Sequence, residues 1–339
     1  MTKWKPFSIG SGETLANKNK SAFFALVRKE FTDNVTSWRV IIMLAIILLT
    51  CVGSLYTAVT TIQDAISKAN ESQQIGQDSY LFLKLFTVSD GTLPNFITFV
   101  QFLGPLLGIA LGFDAINAER NKGTLNRLMS QPIPRDYVLN AKFIAALLLN
   151  VVLFFSLGFL VMAFGILILG IPPTLEEFAR LFFFLVLCIA YIAFWLNLGI
   201  LFSVLFRQSA TSALSSLGVW LFFSIFYNMI IQLISKSMFS GGGITSPEQI
   251  IERKGTVLNM MRLSPNYLFN ESTITLLSPA VRSLGPLTRS QKAGAIPSPL
   301  PLDQSLLLIW PQLTGLIAAT LICFAIAYIL FMRQEIRSN

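Results

Sequence analysis

Histidine is absent from the 339-residue sequence, so the commonest general base and metal ligand at neutral pH has no representative. Charged residues are scarce, at 12%, while 54% of positions are hydrophobic. That balance excludes a soluble globular domain and describes an integral membrane protein. Three cysteines occur, Cys51, Cys188 and Cys323, all within apolar runs, and they read as small core residues rather than an extracellular disulfide framework. No G-x-x-x-x-G-K-[ST] occurs, so the chain has no phosphate-cradling loop of its own. The paired Glu176 and Glu177 could suggest intramembrane hydrolysis, but that chemistry needs histidine partners as well. No catalytic or metal-ligating constellation remains, and the chain is not expected to be an enzyme. The net charge of +8 is spread over the loops at the ends of apolar runs. It is explained by orientation in a membrane, and nucleic-acid binding is not expected.

What is present is a succession of apolar runs long enough to cross hydrocarbon. They predict an all-α integral membrane protein with six transmembrane helices at about 40–62, 96–113, 143–169, 181–206, 213–234 and 306–331, a single domain over 21–339 behind a polar extension at 1–20. The extension lacks an apolar signal core, so the first span is expected to act as an uncleaved anchor. Before that span, Phe23, Phe24, Val27 and Phe31 are predicted to share a helical face opposite Arg28, Lys29 and Glu30, the pattern of an interfacial helix. Among short segments, Lys and Arg number 15 on the side that carries both termini and 3 on the other. Both termini are therefore expected to be cytoplasmic.

The spans themselves are almost uncharged, which argues against a secondary transporter or an ion channel. Gly104, Gly108 and Gly112 recur at four-residue spacing in the second span and allow another helix to approach closely, for packing within the subunit ahead of a dimer interface or cavity wall. Gln101, Asn150, Asn197, Asn228 and Gln232 are expected to bond between helices ahead of contacting a substrate. The long extracytoplasmic loop between spans five and six covers 235–305. In it Ser246-Pro247-Glu248-Gln249 reads as a capping box that opens a helix. Beyond Pro265 the composition turns to proline, serine and glycine, and no regular structure is expected there.

The most specific stretch is the charged island from Glu119 to Asp136. Gly123 breaks the incoming helix, Thr124 can cap a new one, and Pro132 and Pro134 stop it. Within it Leu125, Leu128 and Met129 share one face while Arg127 points elsewhere. A helix of about two turns is marginal alone in water and needs a surface to dock on. Glu119, Gly123-Thr124-Leu125, Leu128, Pro132, Arg135 and Lys142 together resemble the permease subunits of type-2 ABC exporters. The resemblance implies that this loop carries a coupling helix seated in a groove of a separate ATPase subunit, with Glu119, Arg127 and Arg135 as polar contacts. It further implies a second permease copy or paralogue, a pathway lined by spans two and five, and a place in the cell membrane. ATP and Mg would be bound by the partner ATPase, with no cofactor on this chain. Two alternatives stay open: a non-transporting scaffold or sensor that anchors a cytoplasmic partner, and an ATP-independent channel or carrier.

Overall fold

The computed structural model describes residues 12–71, 80–124, 134–170, 172–240, 247–280, 284 and 299–333, and every regular element among them is helical. Six helices are long and apolar enough to cross a membrane: Trp38–Asp64, Phe96–Asn121, Arg135–Ile168, Leu175–Leu205, Ser209–Ser237 and Leu302–Arg333. With six such helices in series, the start of the first and the end of the last fall on one face of the bundle. We call it the terminal face, and the opposite one the far face.

Helix α1 (Gly12–Thr36) is separated by Ser37 from α2 (Trp38–Glu71), the first span. On the far face lies the short α3 (Leu81–Thr87), and α4 (Phe96–Gly112) returns as the second span. A turn over 113–116 leads into α5 (Asn117–Asn121). The third span, α6 (Arg135–Leu169), starts earlier than the apolar run alone suggests. Its first turns tolerate Lys142 because a carboxylate from α1 meets it. Gly170, with φ +69°, closes α6 in the left-handed region that suits glycine. Then α7 (Leu175–Leu205) opens with the reciprocal Thr174–Glu177 capping box. The fifth span is one continuous helix in three parts: α8 (Ser209–Leu221), a π turn (Phe222–Phe226) and α9 (Tyr227–Ser240). Helices α10 (Pro247–Met261) and α11 (Pro265–Leu277) sit on the far face, and α12 (Leu302–Arg333) is the last span.

Helix α7 is the centre of the bundle. Of its most apolar stretch 72% is buried within this one chain, against 11% for the fifth span. Its own Phe184, Tyr191 and Trp195 are fully enclosed. The glycines of α4 face α7 rather than the outside. A Cβ at Gly108 would stand 2.8 Å from the Ile192 carbonyl oxygen, and one at Gly112 2.5 Å from that of Leu196. Gly199 of α7 returns the contact, with Gly112 Cα 3.2 Å from where its own Cβ would be. The two backbones therefore touch, as small residues allow between membrane helices.

Two expectations fail. The segment after Pro265 is helical, because proline at the first helical position forfeits a hydrogen bond that no helix makes there. Its Phe269 ring then stacks on Tyr191 at 4.3 Å and 14°, and Leu276 and Leu277 are buried. The polar residues of the spans also differ from a set of interhelical bonds. Gln101 Nε2 does bond between helices, donating to the Asn266 carbonyl at 3.5 Å, but among the described residues Asn150 bonds only Ala146 of its own helix. The amide of Asn197 has no partner among the described residues.

Arg180 fastens the far face. Wholly buried, it uses all five of its N–H donors. Nε and Nη2 meet Glu176 at 3.1 and 2.9 Å, and Nη1 reaches the Leu276 carbonyl at 2.9 Å and Ser305 Oγ at 3.1 Å. Nη2 also donates to the Leu300 carbonyl at 2.5 Å. Glu177, besides capping α7, accepts the Phe82 N–H at 3.1 Å and so holds α3. The paired glutamates are thus structural ligands of a helix terminus and an arginine.

Gly112→Leu is expected to push α4 off α7 and to cost about 3 kcal/mol or more, since neither backbone can retreat. Gly218→Ala, where an added Cβ meets nothing within 4 Å, should be neutral or slightly stabilising. Thermal unfolding in detergent, followed by size-exclusion of the surviving fraction, compares the two.

Candidate coupling site

The terminal face carries the site, and it begins with how α4 ends. Ser203 Oγ of α7 accepts the N–H groups of Ile116 at 2.9 Å and Asn117 at 3.1 Å. The chain is thereby turned at 113–116 and restarted as α5, while Gly123, at φ +69°, ends it two residues later. Thr124 Oγ1 donates to the Glu119 carboxylate and also to its backbone carbonyl. The threonine thus secures the start of the island through the residue five positions before it.

Glu119 consequently faces into the chain instead of outward. Its carboxylate lies 3.5 Å from Lys142 Nζ of α6 and 3.7 Å from Lys29 Nζ of α1. Lys142 makes its shortest contact, 2.8 Å, with Glu30, and both side chains are more than nine-tenths buried. Lys29 in turn reaches Glu30 at 3.2 Å and Asp33 at 3.4 Å. Burial pulls the Lys29 ammonium down, but Glu30, Glu119 and Asp33 outweigh it and hold its pKa above the ordinary lysine value. A second pair lies beside the cluster. Arg39 at the head of α2 meets Asp114 at 2.5 Å, and its guanidinium lies over the Phe113 ring at 5.1 Å.

The cluster requires α1 to lie against α6. Leu26 and Val27 pack on Val138, Ala141 and Ala145, with Phe23 and Phe31 at the edge. The face differs from the expected one. Phe24 is 68% exposed, while Leu26 and the charged Glu30 are turned inward. A buried partner, Lys142, makes Glu30 an inner residue, and amphipathic periodicity alone assigns it to the polar side.

Of the island residues, Glu119, Gly123, Thr124 and Arg135 are described, and Arg135 stands exposed at the start of α6. Leu125, Arg127, Leu128, Met129 and Pro132 lie outside the described residues. Gly104, Gly108 and Gly112 belong to the α4–α7 contact, away from the cluster. Gln101 and Asn228 line one cleft toward the far face, and Gln232, one turn beyond Asn228, is exposed. Sequence reasoning overlooked the central role of Lys142. The available signal was its isolation, as the lone charge between Asp136 and Glu176. Among the described residues, no group of His, Cys, Asp or Glu could hold a metal ion.

Lys142→Met should leave Glu30 and Glu119 with only the half-exposed Lys29 as cation, in place of the buried one, and cost about 3 kcal/mol. Adding Glu30→Leu should recover part of that loss, because the orphaned buried charge is removed with its partner. A double-mutant cycle of melting temperatures in detergent measures the coupling.

Residues 24–336 match the family model described as ABC-2 family transporter protein. Among curated proteins, the chain is 26% identical over 212 residues to a protein named "Probable ABC transporter permease protein NosY" from Stutzerimonas stutzeri, covering 61% of this chain and 68% of that one. A protein of the same name from Pseudomonas aeruginosa is 27% identical over 158 residues, 44% of this chain and 54% of that one. The "Uncharacterized membrane protein YdbK" of Bacillus subtilis is 28% identical over 151 residues, 41% of this chain and 60% of that one. The last two matches thus span less than two thirds of those relatives. A match over nearly the whole chain, joined to six membrane-crossing helices, shows that the chain belongs to the ABC-2 transporter family, as a membrane-spanning permease subunit.

Proposed function

We propose that this permease works as an ATP-driven exporter, paired with a second copy or a paralogue and powered by separate ATPase subunits docked on the 119–136 loop. The observation that carries the reading is the Glu119 cluster. It joins the start of the loop, through Thr124, to α1 and α6 by buried or half-buried ion pairs. A force applied at such a loop reaches two helices at once. Leu125, Leu128 and Met129 would form the docking face, with Arg127 and the exposed Arg135 as polar contacts. Glu119 acts from inside, as the anchor that sets the loop's position.

Orientation follows the Lys and Arg asymmetry, with the terminal face cytoplasmic and α10 and α11 outside. In this reading α1 lies along the cytoplasmic leaflet and also braces the coupling loop. Pairing with a second permease is supported by the fifth span, which is little covered within one chain yet carries Gln232 exposed and Asn228 half-buried. Amides on a lipid-facing surface would forgo hydrogen bonds, so a second subunit or a pathway suits them better. ATP-driven closure of the ATPases would then switch access between the two faces as a rigid-body change.

Leu128→Asp is expected to leave the melting temperature of the permease unchanged while abolishing recovery of an ATPase subunit on affinity purification in mild detergent. Undiminished ATPase recovery with this variant would refute the docking assignment. If the unaltered chain yields no ATPase, even after crosslinking from the 119–136 loop, the scaffold and channel alternatives take its place.

A further inference from the structure

At the opposite end of α4 from the coupling cluster lies a cleft of about 230 Å³, walled by α4, the π turn with α9, and α11. Its lining mixes polar side chains from all three walls with the Phe102 and Tyr267 rings, and among the described residues it carries no charge. One wall is fixed by Asn266. Its Oδ1 accepts the Tyr191 hydroxyl at 2.8 Å, its Nδ2 donates to Ser224 Oγ at 2.7 Å, and its carbonyl accepts from Gln101 at 3.5 Å. Asn266 is therefore committed to the frame. Asn228 and Asn270 also line the cleft, and neither side chain makes a hydrogen bond among the described residues. The π turn sets Ser224 in this wall, closed by the Tyr227 N–H bonding back five residues to Phe222. Such an insertion in an otherwise α-helical span recurs at functional sites.

The surroundings of the cleft differ in character from its interior. Phe102 lines it and is 49% exposed, and Ile225, Phe226 and Met229, next to Ser224 and Asn228 in the chain, are exposed apolar residues on the same span. The charged pair on the far-face helices, Arg262 and Glu271, is engaged with itself at 2.8 Å and with Gln312 at 3.0 Å. Among the described residues no charged side chain lines the cleft, so a charged headgroup seated there would meet no counter-ion in its wall. Primary amides and hydroxyls each present both donor and acceptor, which complements a group of hydroxyls.

From this geometry we propose that the cleft binds the uncharged, hydroxyl-rich headgroup of an amphiphile, whose chains lie along the apolar surface of Phe102 and the fifth span. The inference deepens the transport reading and rests on it for the ligand's status as cargo. Binding itself needs only this chain. Trp220 supplies a reporter, since its ring meets Phe102 edge-on at 4.8 Å.

The test uses the full chain in phosphatidylcholine nanodiscs, with Trp220 emission as readout and Trp220→Phe to assign the signal. A monoglucosyl diacylglycerol is expected to shift the emission saturably. Phosphatidylglycerol with the same acyl chains should not, and methyl glucoside should bind at least about tenfold more weakly, because it lacks the apolar contact. Asn228→Leu and Asn270→Leu should each weaken the glucosyl lipid about tenfold, the effect of one unmade hydrogen bond. Thr32→Val, on α1 at the terminal face, should not. The proposal is overturned if phosphatidylglycerol competes equally, if methyl glucoside binds as tightly as the lipid, if the glucosyl lipid does not bind, or if both asparagine variants bind normally. Lipid binding without a co-purifying ATPase would refute the transport reading alone, and an ATPase-bound permease blind to the glucosyl lipid would refute this inference alone.

Discussion

Hydrocarbon offers no hydrogen bonds, and that constraint decides where the charged side chains of this protein can stand. The spans pack with almost no charge between the two faces, and the ionic groups that are buried collect in layers at the ends. On the terminal face, Lys142 is neutralised by Glu30 and Glu119. On the far face, Arg180 spends every donor on Glu176, Ser305 and two backbone carbonyls. Each layer ties a helix that does not itself cross the bundle to helices that do. Lys142 secures α1 to α6, and Arg180 secures α11 and the lead into α12 to α7. A buried ion pair gives little net stability over an apolar replacement, but it is costly to break, so such layers favour one arrangement over its neighbours.

Between these layers, cohesion comes from shape. The glycines of α4 bring its backbone against that of α7, and α7 in turn is enclosed on most sides. The fifth span has no comparable enclosure. The chain thus contains a tightly built half around α4, α6 and α7 and a loosely covered helix beside it, interrupted by a π turn at the level of the polar cleft. For the proposed transport cycle, this contrast separates what moves easily from what moves whole.

Much of this was legible in the sequence. Runs of about twenty apolar residues locate membrane crossings because the thickness of hydrocarbon sets the length. All six expected spans fall within or close to the observed helices. Gly123 and Pro247 were readable for local reasons, the one reversing backbone hand and the other opening a helix. What periodicity could not reveal depends on partners far away in the chain. Glu30 counts as polar surface until Lys142, 112 residues on, is placed against it. Arg180 counts as a loop charge until Leu276 and Leu300 surround it. The helix after Pro265 was hidden because proline was read as a breaker where it serves as a first residue. The docking face of Leu125, Leu128 and Met129 rests on sequence pattern, since the described residues end at Thr124 and resume at Pro134.

The two ends of α4 define a mechanical problem. One end leads into the turn that delivers Glu119 to the ionic cluster, and the other carries Thr98 and Gln101 in the wall of the polar cleft. A rearrangement linking these ends can run along α4 or along α7, whose Ser203 and Tyr191 touch the same turn and the same wall. Sliding α4 on α7 by a turn could set glycine in glycine's place, but it would tear the Ile116 and Asn117 N–H groups from Ser203 of α7. Bending within α4 is possible at Pro105, yet Pro105 is itself buried among residues that close-pack. The remaining route is for α4 and α7 to tilt together, carrying the Ser203-anchored turn at one end and the cleft wall at the other. For the proposed transport cycle, two central helices locked backbone to backbone favour rotation as a rigid pair against the loosely held fifth span.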